Sequence, residues 1–239
     1  MIRFILLNAF IAVHTIVMSI YGIVLSFFDR SGGRLVHFYC ASPWAKAILW
    51  VCGVRVQIKG LDHVKEGVQS IYMVNHQSIF DIFTLLASLP VDFKFLLKQE
   101  LMKLPFFGAA MKRAGYISID RKNPRKAVKS MNEAAEKIKN GASVLIFPEG
   151  TRGQDGRLQT FKSGGFHLAL KSGSDIVPVA IVDSHLIVPK GSFRIKKGTV
   201  LMNIGPSIPT RDCSRKDMNQ LMDRVRDAML NEMKESRLS

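Results

Sequence analysis

An α/β domain behind an N-terminal apolar helix is the architecture that this 239-residue sequence predicts. Three observations carry it. Short β-rich apolar runs alternate with helix-like segments from about residue 56 onward, the pattern of a mixed sheet flanked by helices. Residues 4–28 form a stretch of 25 without an Asp, Glu, Lys or Arg side chain, His14 being its one group that ionises near neutral pH. The composition, 47% hydrophobic and 22% charged with a mean hydropathy of +0.12, supplies enough apolar surface to offset the entropy of ordering. Residues 1–55 therefore read as an N-terminal helical membrane anchor of one or two apolar helices. Residues 56–239 read as one domain, with no repeat, low-complexity tract or long linker inside it.

Taken in order, residues 4–28 come first. A helix rises about 1.5 Å per residue, so this length crosses a hydrocarbon core of roughly 30 Å. Phe27 and Phe28 precede Asp29 and Arg30 where a cleaved signal peptide has small residues, which favours a retained anchor. Residues 35–54 are apolar too, but Pro43 and Lys46 make them a poor span. They read as a re-entrant or interfacial helix with Tyr39, Trp44 and Trp50 at headgroup level, or as a helix buried in the core. Only Arg3 precedes the first segment, whereas Arg30, Arg34 and Lys46 follow it, which puts the domain on the cytoplasmic side.

In the domain, strand-like runs fall at 70–74, 93–97, 116–119, 143–147, 176–182 and 199–204. A helix is expected to follow Ser78 as far as Ser88, ahead of Pro90. A strong helix occupies 124–140: Asn123 caps it, Pro124 takes the first turn, and Gly141 ends it. Its apolar face holds Val128, Met131, Ala135 and Ile138. A short helix at 166–171 stops at Gly173. The last, from Ser214 to about Glu235, is amphipathic through Met218, Leu221, Met222, Val225 and Met229.

Charge and cysteine usage narrow the function. The 34 Lys+Arg against 19 Asp+Glu give +15, of which +11 lies in residues 56–239. Such a surface meets nucleic acid, acidic lipid or a phosphorylated substrate. The cations are dispersed and not interleaved with aromatics, and no recognition motif is present, so nucleic acid is not the expected partner. Cys40, Cys52 and Cys213 form no CxxC pair, which argues against a disulfide scaffold or structural zinc. No G-x-S-x-G, P-loop or G-x-G-x-x-G occurs, and the histidines form no H-x-x-x-H pair. No metal site is expected.

Three motifs remain, each just past an apolar strand. In NHQSIFD (75–81), Ser78 and Asp81 fit a capping box, with Asp81 at the third helical position. From there the carboxylate can reach back to His76, fix its tautomer and leave the second ring nitrogen as a base. On an uninterrupted helix the two residues would lie about 140° apart, so the loop-to-helix break is required. In FPEGTR (147–152), Pro148 and Gly150 make a turn that holds Glu149 and Arg152 at the strand's end, where open α/β sheets bind ligands. Arg152 offers a fork that suits phosphate. GYISIDR (115–121) adds a second arginine, Arg121, at the same kind of edge.

The combination resembles the glycerolipid acyltransferase family, in particular its bacterial 1-acyl-sn-glycerol-3-phosphate acyltransferases, which make phosphatidic acid. His76 and Asp81 match its H-x-x-x-x-D block, Gly115 and Arg121 its second block, Phe147 to Arg152 its F-P-E-G-T-R block, and Val177-Pro178-Val179 its last. Lys98, Leu101, Pro105 and Gly108 match a further K-x-x-L-x-x-x-P-x-x-G stretch. Tyr116 and Ile117 depart from the bulkier run often found in the second block. The resemblance implies a glycerol-phosphate-acyltransferase-like mixed sheet, and acyl transfer from acyl-ACP or acyl-CoA to the 2-hydroxyl of a lysophosphatidic acid. It casts His76 as base and Asp81 as its orienting partner. Arg121 and Arg152 would hold the phosphate, Glu149 the glycerol backbone, and Lys98 the carbonyl oxygen, with Gly115, Gly150 and Thr151 shaping the pocket. It implies no cofactor beyond the thioester co-substrate. The implied partners are membrane lipids and acyl carrier protein or a CoA thioester, and the implied place is the inner membrane's cytoplasmic face. The same chemistry on a lyso-aminolipid or glycerol 3-phosphate, and a non-catalytic lipid-binding protein, stand as alternatives.

Overall fold

The structure, a computed structural model, describes residues 1–120 and 123–238. Its strands are β1 (Val54–Lys59), β2 (Ile71–Val74), β3 (Phe93–Lys98), β4 (Ile117–Ile119), β5 (Ser143–Ile146), β6 (Ile176–Val182) and β7 (Gly198–Ile204). They pair in the order β1-β7-β6-β2-β5-β3-β4, all parallel to their neighbours except β6 with β7. The helices are α1 (Ile2–Ser26), α2 (Arg34–Val36), α3 (Ser42–Cys52), α4 (Phe80–Ser88), α5 (Phe107–Arg113), α6 (Pro124–Lys139), α7 (Gly164–Ser172), α8 (Ser184–Ile187) and α9 (Met218–Leu238).

The central strands are buried on both sides, and their period of two sorts side chains between two cores. Tyr72, Val74, Leu145, Val177, Val179 and Ile181 face a core closed by α3 and α4. Ile71, Met73, Val144, Ile146, Ile176 and Ala180 face one closed by α6, α7 and α9. The sheet is thus the middle of three layers. From β2 the chain crosses through α4 to β3, skipping a place that β5 later fills; from β5 it passes β2 through α7 to reach β6. The carboxyl end of β2 therefore lies between connections that run opposite ways, the place where such sheets form a crevice.

Three elements lie outside the sequence expectation. β1 has the alternation V-R-V-Q-I-K and starts at the last residue of the second apolar segment, Val54, and α5 and α8 are short turns of helix. The last helix is entered through a 3-10 turn, Arg215–Asp217, under a full capping box of Ser214 and Asp217.

The N-terminal region packs along the domain. Residues 34–52 are helical throughout, with one wide π turn, His37–Ala41, that ends two residues before Pro43. That turn accommodates the missing proline N–H. Ala45, Ile48, Leu49 and Cys52 enter the core, while Trp50 is 82% exposed and Tyr39 is also outside. α1 is held at both ends. Arg3 donates to the Cys52 and Ile195 carbonyls, Asn8 to Phe193, and Arg113 lies 4.4 Å over the Phe27 ring. Its other face (Ile5, Val13, Val17, Ile20, Val24) is uncovered, and α1 is long and apolar enough to cross a membrane.

Under the π turn, His37 is fully buried, edge-on to Phe93, with Asp92 Oδ1 3.7 Å from Nδ1. Burial drops its pKa from 6.5 to about 4, against the opposing pull of Asp92. The folded state thus prefers the neutral ring. Its contribution is complete above pH 6.5 and is lost as pH falls toward 4, on the order of 3 kcal/mol in all. In detergent, Tm should fall more steeply between pH 6.5 and 4 for the native chain than for His37→Gln; parallel curves would remove His37 as the cause.

Candidate active site

His76 follows β2 by two residues, and the turn into α4 carries Asp81 back beneath it. His76 Nδ1 lies 2.7 Å from Asp81 Oδ2. The same oxygen accepts the Gln77 N–H at 2.7 Å and the Ser78 N–H at 2.9 Å. Asp81 is 0% exposed. An ionised carboxylate only accepts, so Nδ1 carries the proton and Nε2 keeps its lone pair. The helix begins one residue later than expected, at Phe80 after Ile79. Ser78 still serves the turn, its hydroxyl donating to the Val188 carbonyl and accepting the Phe80 N–H at 3.3 Å.

Asn75 seats the turn on the sheet. Its amide bonds both backbone groups of Ile181, donating to the carbonyl at 2.8 Å and accepting the N–H at 2.6 Å, which prolongs the β2–β6 pairing by a side chain.

Because β2 pairs with β5, the loop after β5 runs beside His76. Glu149 is 3% exposed and spans the two loops: Oε1 accepts the His76 N–H at 2.6 Å and Oε2 the Gln159 N–H at 2.9 Å. Burial raises its pKa, and those two N–H bonds oppose the rise. The Gly153 N–H donates to the His76 carbonyl at 2.7 Å, so His76 is held by both of its own backbone groups. Phe147 stacks on the imidazole, ring centres 4.0 Å apart.

The other expected residues are distributed around this centre. Arg152 is half-buried in the Glu149 loop, and among the described residues its guanidinium has no hydrogen bond or ion pair. Gly150 adopts φ +73°, and a Cβ there would meet the Lys162 stem at 3.0 Å. Thr151 is exposed, with Lys190 Nζ 3.5 Å from its hydroxyl. Gly115 turns the chain into β4 at φ +78°, where a Cβ would lie 2.9 Å from the Gly32 carbonyl. Lys98 ends β3, is 57% exposed and lies 3.3 Å from Glu100. Arg121 lies outside the described residues. Among the described residues no group of three or more His, Cys, Asp or Glu is placed to hold a metal ion.

Beside the same loop opens a cavity of about 1080 Å³ between α6 and α7. Leu96, Ile119, Met131 and Ile146 give it an apolar floor, and Lys162, Lys171 and Arg215 supply cations. Phe147 lines it while stacking on His76. Asn75, the Phe147 stack and the Gln159 N–H were not anticipated. All three act across chain separations that leave no local pattern.

A model of the acyltransferase family matches residues 55–182. A 1-acyl-sn-glycerol-3-phosphate acyltransferase of Limnanthes douglasii is 34% identical over 187 residues, 78% of this chain and 66% of that one. The chloroplastic LPAT1 of Arabidopsis thaliana, which carries the same description, is 39% identical over 160 residues, 66% and 44% of the two chains. The human alpha enzyme is 33% identical over 189 residues, 79% and 67%. The chain thus spans from under half to about two thirds of these relatives. Among solved structures, the fold matches the lysophosphatidic acid acyltransferase PlsC of Thermotoga maritima with a TM-score of 0.86 at 24% identity, covering 100% of this chain and 96% of that one.

The carboxylate's hold on the ring can be tested directly. In histidine-labelled protein, the neutral His76 ring should carry its proton on Nδ1. In Asp81→Asn the amide NH₂ can face Nδ1, and the nitrogen shifts should show the other tautomer; an unchanged tautomer would show that Asp81 does not select it.

Proposed function

The chain belongs to the acyltransferase family, and on that premise we propose that it moves an acyl chain from a thioester to the 2-hydroxyl of 1-acyl-sn-glycerol 3-phosphate, giving phosphatidic acid. The observation that carries this reading is the His76–Asp81 contact of 2.7 Å at the carboxyl end of β2. His76 Nε2 takes the hydroxyl proton while the oxygen attacks the thioester carbonyl. The new C–O bond forms, the C–S bond breaks, and the imidazolium returns its proton to the departing thiolate. Products are an ester and a free thiol, with every proton accounted for, and no cofactor enters the balance. The acceptor alcohol is itself the nucleophile, so no acyl-enzyme intervenes. Asp81 stabilises the transient imidazolium and holds its orientation.

Arg152 is assigned to the acceptor's phosphate, supported by its uncommitted guanidinium on the loop that carries Glu149. Arg121 is the second phosphate ligand implied by the family's motif. Glu149 acts first as the strut that fixes His76; contact with the glycerol backbone is the further role the family resemblance implies. Gly150 lines the cavity; a pocket-shaping role for Thr151 and a contact of Lys98 with the carbonyl oxygen are what the family resemblance implies. The cavity's apolar floor and cationic residues suit a lipid with an anionic head.

The uncovered stripe of α1, with Trp50 and Tyr39, is proposed to sit in the cytoplasmic leaflet of the inner membrane. Contacts with the domain at both ends of α1 favour a helix lying in one leaflet over one projecting across. Acyl-CoA and acyl carrier protein both bring an anionic carrier to the basic surface.

The test is turnover by purified protein in mixed micelles, with both donors and a panel of acceptors. Lysophosphatidic acid should be the preferred acceptor, and His76→Ala should lose about 10²–10⁴-fold in kcat. Arg152→Ala should raise the acceptor KM about tenfold or more and spare an acceptor without phosphate. Native turnover in His76→Ala would overturn the reading, and preference for a lyso-aminolipid or glycerol 3-phosphate would replace the acceptor.

A further inference from the structure

We propose that Arg226, on the C-terminal helix α9 and outside the segment matched by the family model, is a positioning residue for His76. The inference rests on the reading of His76 as the base, and deepens it.

A bonded path connects the two. Arg226 forks onto the loop at 158–161, Nη1 donating to the Gln159 carbonyl at 2.7 Å and Nη2 to the Leu158 carbonyl at 3.2 Å. The guanidinium also lies 5.7 Å from the centre of the Phe161 ring, itself buried against Phe166. The Leu158 carbonyl belongs to the same peptide plane as the Gln159 N–H, and that N–H donates to Glu149 Oε2. A cation on one side of a peptide polarises it and strengthens the donor on the other. Glu149 then holds the His76 N–H through Oε1 at 2.6 Å.

The second handle on His76 reaches the same residue. Its carbonyl is held by the Gly153 N–H, and a Cβ on Gly153 would lie 2.9 Å from Gln159 Nε2. Gln159 therefore stands beneath both backbone attachments of the base, and Arg226 pins the peptides on either side of Gln159. The loop is also fixed by the burial of Leu158 and Phe161 and by the Lys162 N–H on the Pro148 carbonyl, but none of these bonds the Gln159 peptides themselves. Nearby Asp155 and Arg157 are exposed and, among the described residues, bond to one another. α9 is anchored in the same core through Leu221, Val225 and Met229, so Arg226 projects from a packed helix onto the loop.

Arg226→Met keeps much of the stem's packing and removes both donors. Arg226→Lys keeps the charge but cannot fork. Arg224→Met, an exposed cation two residues away, is the control. In the full-length chain, Arg226→Met should lose about tenfold in kcat, with both KM values within about twofold, since a small displacement of a base costs rate more than binding. Arg226→Lys should fall between it and the native chain, and Arg224→Met should be unchanged. On a Glu149→Gln background, Arg226→Met should add little further loss, because the two act through one path. The His76 Nδ1–H resonance should shift in Arg226→Met and not in Arg224→Met.

Native kcat in both Arg226 variants, fully additive losses with Glu149→Gln, or an unmoved His76 resonance would each overturn the proposal. If Arg226→Met does not fold, Arg226→Lys carries the test on the same readouts. Turnover retained by His76→Ala would instead sink the acyl-transfer reading, while the resonance would still report whether Arg226 and His76 are coupled.

Discussion

A buried carboxylate bonded to two backbone N–H groups is the constraint on which the site depends. Glu149 has almost no contact with water, and removing a carboxylate from water is costly unless donors replace the lost hydration. Here the replacements come from two loops far apart in sequence, at His76 and Gln159. Neither loop can move without leaving the carboxylate under-bonded. Burial and its compensation therefore set a position that loop residues by themselves would not keep. Asp81 repeats the device on a smaller scale, gathering one ring nitrogen and two backbone N–H groups on a single oxygen.

Those loops meet because of the strand order. β2 pairs with β5 in parallel, with Met73 opposite Ile146, so the residues just beyond them emerge side by side. The intervening α4, β3, α5, β4 and α6 are a long detour that returns β5 to the place beside β2. On the far side of β2, Asn75 couples the His76 turn to β6. The proposed base thus rests on the three central strands, which are buried along their whole length.

The N-terminal helices follow a different logic. α3 divides its faces between the core and the surface, and α1 is pinned at both ends while its outer stripe stays bare. Exposed apolar area on that scale marks a surface that meets something other than water. The contacts at both ends of α1 join an apolar face to the domain that carries the polar site, an arrangement suited to the proposed lipid acceptor.

Much of this was legible in the residues. Periodicity marked six of the strands, the helix after Asn123 and the amphipathic helix near the C-terminus, because burial on one face writes a local repeat into the chain. The H-x-x-x-x-D spacing and the loop-to-helix break before α4 together made the meeting of His76 and Asp81 legible, since the break carries the carboxylate back to the ring. β1 escaped because three charged or amide side chains in V-R-V-Q-I-K leave it little apolar signal, even though Gly53 ends the helix before it, and the burial of His37 because a lone histidine carries no sign of its depth. Strand order, the Glu149 strut, the Phe147 stack and the reach of Arg226 to the loop at 158–161 belong to the tertiary structure alone. Each joins residues tens of positions apart, and pairings at that range depend on which surfaces remain to be covered once the sheet has formed.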